Sequence, residues 1–197
     1  MHSKQKYFVA GFLTLCCCAL LGVSSCNRST TPKPYAYTRL NIPDTTYTTF
    51  KQNGFPFTFA LSENATFIQK ESKNAATWFN IQYPTLNATI HCTHYTIKNN
   101  LHELSDESQR IVYRHASQAD AIPERAYENA EKNLYGVLYE LHGNTASPLQ
   151  FILTDSTQNF FRASVYFNAS PNQDSIAPVL DYISTDVIRL IESIEWK

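Results

Sequence analysis

Hydrophobic and polar positions alternate with a period of two through residues 149–167. Leu149, Phe151 and Leu153 interleave with Gln150, Ile152 and Thr154; Phe161, Ala163, Val165 and Phe167 interleave with Phe160, Arg162, Ser164 and Tyr166. Such alternation, bounded by turn formers, predicts two strands joined as a hairpin. The connection Asp155-Ser156-Thr157-Gln158-Asn159 contains no glycine. Its short polar side chains can bond nearby backbone groups and so stabilise a turn in glycine's place. Both faces of the hairpin carry apolar residues, which places it inside a covered sheet and not at a bare edge.

Shorter runs of the same kind predict strands over 35–42, 55–61, 65–70, 78–83, 88–97 and 134–141. Tyr35, Tyr37 and Arg39 share one face of the first, which ends at Pro43-Asp44, and Ser62-Glu63-Asn64 reads as a hairpin turn between the next two. Residues 118–132 are polar, contain Pro123, and read as a surface loop. Two stretches change period. Asn100 followed by Glu103 resembles a capping box, and Leu101, Leu104, Ile111, Val112 and His115 fall on one helical face, so a helix is predicted over 100–117. Ile176, Val179, Leu180, Ile183, Val187, Leu190, Ile191 and Ile194 form the stripe of a long C-terminal helix, capped by Asp174 or Ser175 and with Pro178 in its first turn. About 20 helical residues reach about 30 Å, the width of a domain, so this helix must lie along a sheet. Strands, helix, three strands and helix in that order define an α+β fold, a mostly antiparallel sheet packed by helices. In outline it is similar to the Mog1/PsbP-type sandwich, an analogy of fold that carries no activity.

The first residues are of another kind. Lys4 and Lys6 precede an apolar run, 7–23, that is short for a membrane span and suited to the core of an export signal. It closes on Val23-Ser24-Ser25-Cys26, which resembles a bacterial lipobox, with 1–25 as a lipoprotein signal peptide and Cys26 as the acylated residue. The alternatives are a simple secretory signal or a short membrane anchor. Lipid on Cys26 contributes about 0.8 kcal/mol per buried methylene to membrane attachment. Residues 26–34 then form the lipid-bearing cysteine and a polar, proline-containing tether, and 35–197 a single α+β domain. At 197 residues the chain can build one substantial core.

Composition removes several function classes. The formal charge is -1 with 16 basic and 17 acidic residues, and loss of Lys4 and Lys6 makes the mature chain more acidic still. No basic run is present to neutralise phosphates, so nucleic acid is not an expected partner. Cys16, Cys17 and Cys18 lie in the leader and Cys26 carries lipid, which leaves Cys92 alone, a buried small hydrophobe sharing a strand face with Ile90. His91 and His94 point to opposite faces of a strand and cannot share a metal ion. No metal site and no cofactor is expected. His115, Asp120, His142, Asp155 and Asp174, with Ser147 or Ser156 as nucleophile, match no nucleophile elbow, zinc spacing or phosphate loop. Ser147, Asp155, Arg162, Asn172 and Asp174 are candidate partner-binding residues, and 146–148, Arg162 and 172–174 are expected to form an exposed polar cluster near one end of the sheet. Asp44-Thr45-Thr46, Asp155-Ser156-Thr157 and Asp174-Ser175-Ile176 also resemble short O-glycosylation acceptors.

Several stretches in order carry a more specific resemblance: 32–43 after the lipobox, 113–122, Tyr135-Gly136, 146–151, 154–157, 166–168, 171–178 and the terminal Glu195-Trp196-Lys197. Together they resemble the gliding motility lipoprotein GldD family of Bacteroidota along nearly the whole mature chain. Arg162-Ala163-Ser164 and the polar 91–94 stretch depart from the family pattern. The resemblance implies a cell-envelope lipoprotein, anchored through a palmitate-bearing Cys26; the tether, which lacks an acidic cluster soon after that cysteine, points the domain to the periplasm. The resemblance also implies a non-catalytic structural or adaptor role among the protein components of a motility machine tied to type IX secretion. From a different class, the residues at 147, 155, 162 and 174 would suit a periplasmic ligand-binding or hydrolytic domain.

Overall fold

The computed structural model describes residues 44–71, 76–114, 118–168 and 173–197. The leader, Cys26, the tether and the expected strand at 35–42 lie outside them. Ten strands and two α-helices are formed within the described residues: β1 (Tyr47–Phe50), β2 (Phe57–Ser62), β3 (Thr66–Lys70), β4 (Thr77–Tyr83), β5 (Ala88–Thr96), α1 (Leu101–Arg114), β6 (Glu124–Asn129), β7 (Leu134–Glu140), β8 (Leu149–Thr154), β9 (Asn159–Phe167), α2 (Gln173–Ser193) and β10 (Glu195–Trp196). β3-β4-β5-β9-β8-β7-β6 make a seven-stranded sheet and β1-β2-β10 a three-stranded one. Each strand pairing is antiparallel. The α+β expectation holds, with the 149–167 hairpin near the middle of the larger sheet.

Alternation decides which face of that sheet is dry. Phe79, Ile81, Ile90, Cys92, Leu138, Phe151, Leu153, Phe161, Ala163 and Val165 are buried in one cluster with Phe57 and Phe59 of β2 and Val179, Ile183, Val187, Leu190 and Ile191 of α2. The small sheet and α2 therefore cover the inner face together. Phe57 is the joint: its ring lies 5.4 Å from Phe161, 6.0 Å from Phe79 and 6.3 Å from Trp196. The opposite, outer face is covered over part of its width by α1. There Val112 packs with Tyr139, Leu141, Val137 and Ile152. The buried stripe of α1 is Leu104, Ser108 and Val112, while Leu101 and Ile111 are only partly covered.

Four expectations need correction. Ser62-Glu63-Asn64 does turn the chain, with the Ala65 N–H donating to the Ser62 carbonyl at 3.0 Å, but β2 and β3 belong to different sheets and do not pair. The turn moves the chain between layers. Residues 118–132 are not all loop: 124–129 is the edge strand β6, paired only with β7. Neither of its faces is buried, so no apolar alternation marks it. The Asn100 carboxamide accepts from the Lys98 N–H, on the upstream side, while the Asn100 carbonyl takes the Leu104 N–H to open α1. α2 begins at Gln173, so Pro178 stands inside it and removes one intrahelical donor.

One polar group is sealed between α2 and the small sheet. Asp186, 4% exposed, accepts from the Tyr47 hydroxyl at 2.7 Å through Oδ1. Burial pushes its carboxyl above the usual range; Tyr47 and, less directly, the Tyr83 and Ser62 hydroxyls pull against that shift without cancelling it. Oδ2 has no partner within hydrogen-bond geometry among the described residues. Burial and Asp186 in turn raise the Tyr47 phenol. A carboxyl raised in the folded state binds its proton more tightly there than in the unfolded chain. Its stabilising effect is present below the ordinary carboxylate pKa of about 4 and is lost as pH rises through the raised value. Tyr47→Phe removes the donor that offsets the ionised form. It is expected to cost about 2 kcal/mol at neutral pH and less below about pH 4, read from denaturant melts across that range.

Candidate functional site

β8 runs from one end of the sheet to the other, and this separates the residues expected to cluster. Ser147 lies before its first residue, fully buried, with its hydroxyl donating to the Leu149 carbonyl at 3.5 Å. Asp155 lies after its last residue, in the β8–β9 turn. About 20 Å of strand stands between them. Around Ser147, the Asp120 N–H donates to the His142 carbonyl, and a groove lined by His142, Pro148, Leu149, Ile176 and Ala177 meets the start of α2. Asp174 belongs to that first stretch of α2, whereas Asn172 and His115 lie outside the described residues. Arg162 is in neither place. It stands in mid-sheet on the outer face, opposite Thr93 on one side and Ile152 on the other. The structure therefore brings neither Ser147 nor Arg162 to Asp155.

The Asp155 turn is built from its own carboxylate. Oδ1 accepts the backbone N–H groups of Thr157, Gln158 and Asn159 at 2.9, 2.7 and 2.8 Å, and Oδ2 accepts the Asn159 amide at 2.6 Å. Ser156 adopts a positive φ of 65° within it. Asn159 passes the chain of bonds inward, its Oδ1 facing His94 Nε2 at 2.9 Å. Because that oxygen can only accept, His94 carries its proton on Nε2. Burial lowers the His94 pKa, with Asn159 and Asp155 opposing, so the ring is neutral at pH 7. Partial burial pushes the Asp155 carboxyl up, but the donors of Asn159, Gln158 and Thr157 together outweigh it and hold it below the usual range.

His94, Asn159 and Asp155 thus form a relay from core to surface. Each Asp155 oxygen is engaged within the turn, and the Phe57 ring lies 5.3 Å from the imidazole. Asp155→Ala strands three N–H groups and is expected to cost about 2 kcal/mol at pH 7. Because the folded pKa is depressed, the wild-type advantage exists above the unfolded pKa of about 4 and disappears as pH falls through the folded value, which thermal melts at several pH values read directly.

His91 and His94 fall on opposite faces, as the strand period requires. Among the described residues no group of three or more His, Cys, Asp or Glu side chains is gathered to hold a metal ion. Cys92 is buried and its thiol is pushed well up by burial, the behaviour of a core residue. Asn80 Oδ1 can only accept, so His91 donates to it through Nδ1 at 3.0 Å, and desolvation by the sheet, then Lys70, lower the His91 pKa. This leaves Nε2 bare on the outer face beside Tyr166, whose ring lies 5.3 Å away. Trp78, 40% exposed, stands on the same face. Of these outer-face residues, sequence singled out only His91, and that as a metal ligand to be weighed with His94. Alternation places each on a face of its own strand, but only the pairing register shows that they are neighbours.

Fold and surface together describe an antiparallel α+β domain whose polar networks hold structure and whose larger sheet presents a partly open face. No helix among the described residues is long and apolar enough to cross a membrane. The family model for the gliding motility lipoprotein GldD matches residues 27–196, and the chain belongs to that family. It is thus a motility-associated lipoprotein. None of the curated proteins searched matches the chain. Among solved structures, the solution structure of cyanobacterial PsbP (CyanoP) from Synechocystis sp. PCC 6803 is similar at a TM-score of 0.46 and 12% identity, over 80% of this chain and 96% of that one.

Proposed function

We propose that the protein is a non-catalytic adaptor of the gliding machinery, held to a cell-envelope membrane by lipid on Cys26 and facing the periplasm. Residues 1–25 are then the removed signal peptide, 26–34 the lipidated cysteine and tether, and 35–197 the working domain. The observation that carries this reading is the family match, which starts at residue 27, immediately after the cysteine of the lipobox-like Val23-Ser24-Ser25-Cys26. The Asp155 network supports a structural use of its polar residues, since its carboxylate oxygens are spent on the turn. Association with type IX secretion components belongs to the same proposal.

Cys26→Ala tests the anchor. Metabolic labelling with palmitate is expected to mark the wild type and not the variant, and the variant is expected to retain its leader and run larger. A variant that stays membrane-bound at mature size, or wild type that takes up no label, contradicts lipid anchoring.

A further inference from the structure

The outer face of the larger sheet, from β3 to β9, carries one row of side chains in register across four adjacent strands. Lys70 pairs with Trp78, Trp78 with Thr93, and Thr93 with Arg162. The next row is Asn80, His91, Ser164 and Gln150. Trp78 is one of two large hydrophobic side chains standing exposed among the described residues, which is the kind of exposure that marks a contact. Neither Lys70 nor Arg162 has a carboxylate within ion-pair distance among the described residues. The outward positions of β3, β4, β5, β9 and β8 include no Asp or Glu at all. Donors are in excess even below the surface: Gln150, 2% exposed, has an Nε2 with no hydrogen-bond partner among the described residues.

We propose that this face, through Lys70, Trp78 and Arg162, docks an extended acidic segment of a partner protein. The charge balance supplies the argument, because two unpaired cations around an exposed indole call for carboxylates around an apolar side chain. Spacing sharpens it. Adjacent strands lie about 4.8 Å apart, so Lys70 and Arg162 are about 14 Å apart across three intervals. An extended peptide places side chains of one face about 7 Å apart, so acidic residues at its first and fifth positions meet the two cations and an aromatic at the third meets Trp78. A membrane surface fits less well: two cations gain only about fivefold each in affinity from anionic lipid. Asn80, Thr93 and Ser164 add a row of hydrogen-bonding groups suited to a peptide. This gives the proposed adaptor its contact face and rests on that reading.

The test uses the lipoprotein purified from its native membrane in detergent. The probe is a fluorescent Ser/Thr peptide with Asp at its first and fifth positions and Tyr at its third; a matched peptide carries Lys in place of Asp. The wild type is expected to bind the Asp peptide at least tenfold more tightly than the Lys peptide. Arg162→Glu and Trp78→Ala are each expected to lose about tenfold with unchanged melting, and Arg162→Glu to improve on the Lys peptide. Lys70→Glu, at an exposed position, provides the same reading if Arg162→Glu folds poorly. Equal affinity for both peptides, or variants that bind as the wild type does, overturns the proposal. So does loss of binding by these variants to phosphatidylglycerol vesicles alone, which assigns the face to lipid. Because the assay needs no motility component, its failure leaves the adaptor role itself to be judged by cross-linking.

Discussion

Phe57→Ala is expected to remove about 4 kcal/mol of stability, the upper range for a fully enclosed aromatic. Phe57 is 0% exposed and has aromatic rings of both layers around it, Phe59 and Trp196 from its own sheet and Phe79 and Phe161 from the larger one. Truncation leaves a cavity at the place where the two sheets meet. The backbone of neither sheet can close that cavity without breaking its own ladder. Against a total of about 5–15 kcal/mol for a domain of ordinary stability, the loss is a large fraction, equivalent to a fall in melting temperature of roughly 8–16 °C. Tyr113, 48% exposed, is the control: Tyr113→Ala is expected to move the midpoint by less than about 1 kcal/mol. A cost below about 1 kcal/mol for Phe57→Ala would show that the two sheets do not share one core.

Gly136→Ala is expected to be nearly as severe, at about 3 kcal/mol, although it adds only a methyl group. Gly136 lies in β7 between Tyr127 of β6 and Leu153 of β8. A Cβ there would sit 2.4 Å from the Ile152 carbonyl oxygen and 2.5 Å from Leu153 Cδ2. The side chain could rotate away; the carbonyl belongs to the neighbouring strand and could not. Trimming Leu153 in the same protein is therefore expected to leave the destabilisation in place, and a double variant that melted like Leu153→Ala alone would refute this account of the glycine.

Legibility followed burial. The β8–β9 hairpin, the β4 and β5 strands and the apolar stripe of α2 were readable because each has one face fully dry, and burial imposes a period on the sequence. β6 has no dry face; Glu124, Arg125, Glu128 and Asn129 are all exposed, and the strand exists through its pairing with β7. β1 spans only four residues, two of them exposed, and β10 only two, so neither contains enough alternation to register. The turn at 62–64 was legible as a turn, but nothing local says which sheet the next strand joins. The same gap hid the surface row. Lys70, Trp78 and Arg162 are 92 residues apart from first to last and become neighbours only through three pairings. Asp155 was legible for the opposite reason, since all of its partners lie within four residues.

The measurement closest to the central claim is in-cell cross-linking of the tagged lipoprotein, recovered from detergent-solubilised envelope, with the linked peptides identified by mass spectrometry. An adaptor anchored through Cys26 is expected to give reproducible links between its β3–β9 outer face and components of the motility or secretion machinery. Recovery of the protein with no reproducible partner would contradict the adaptor reading.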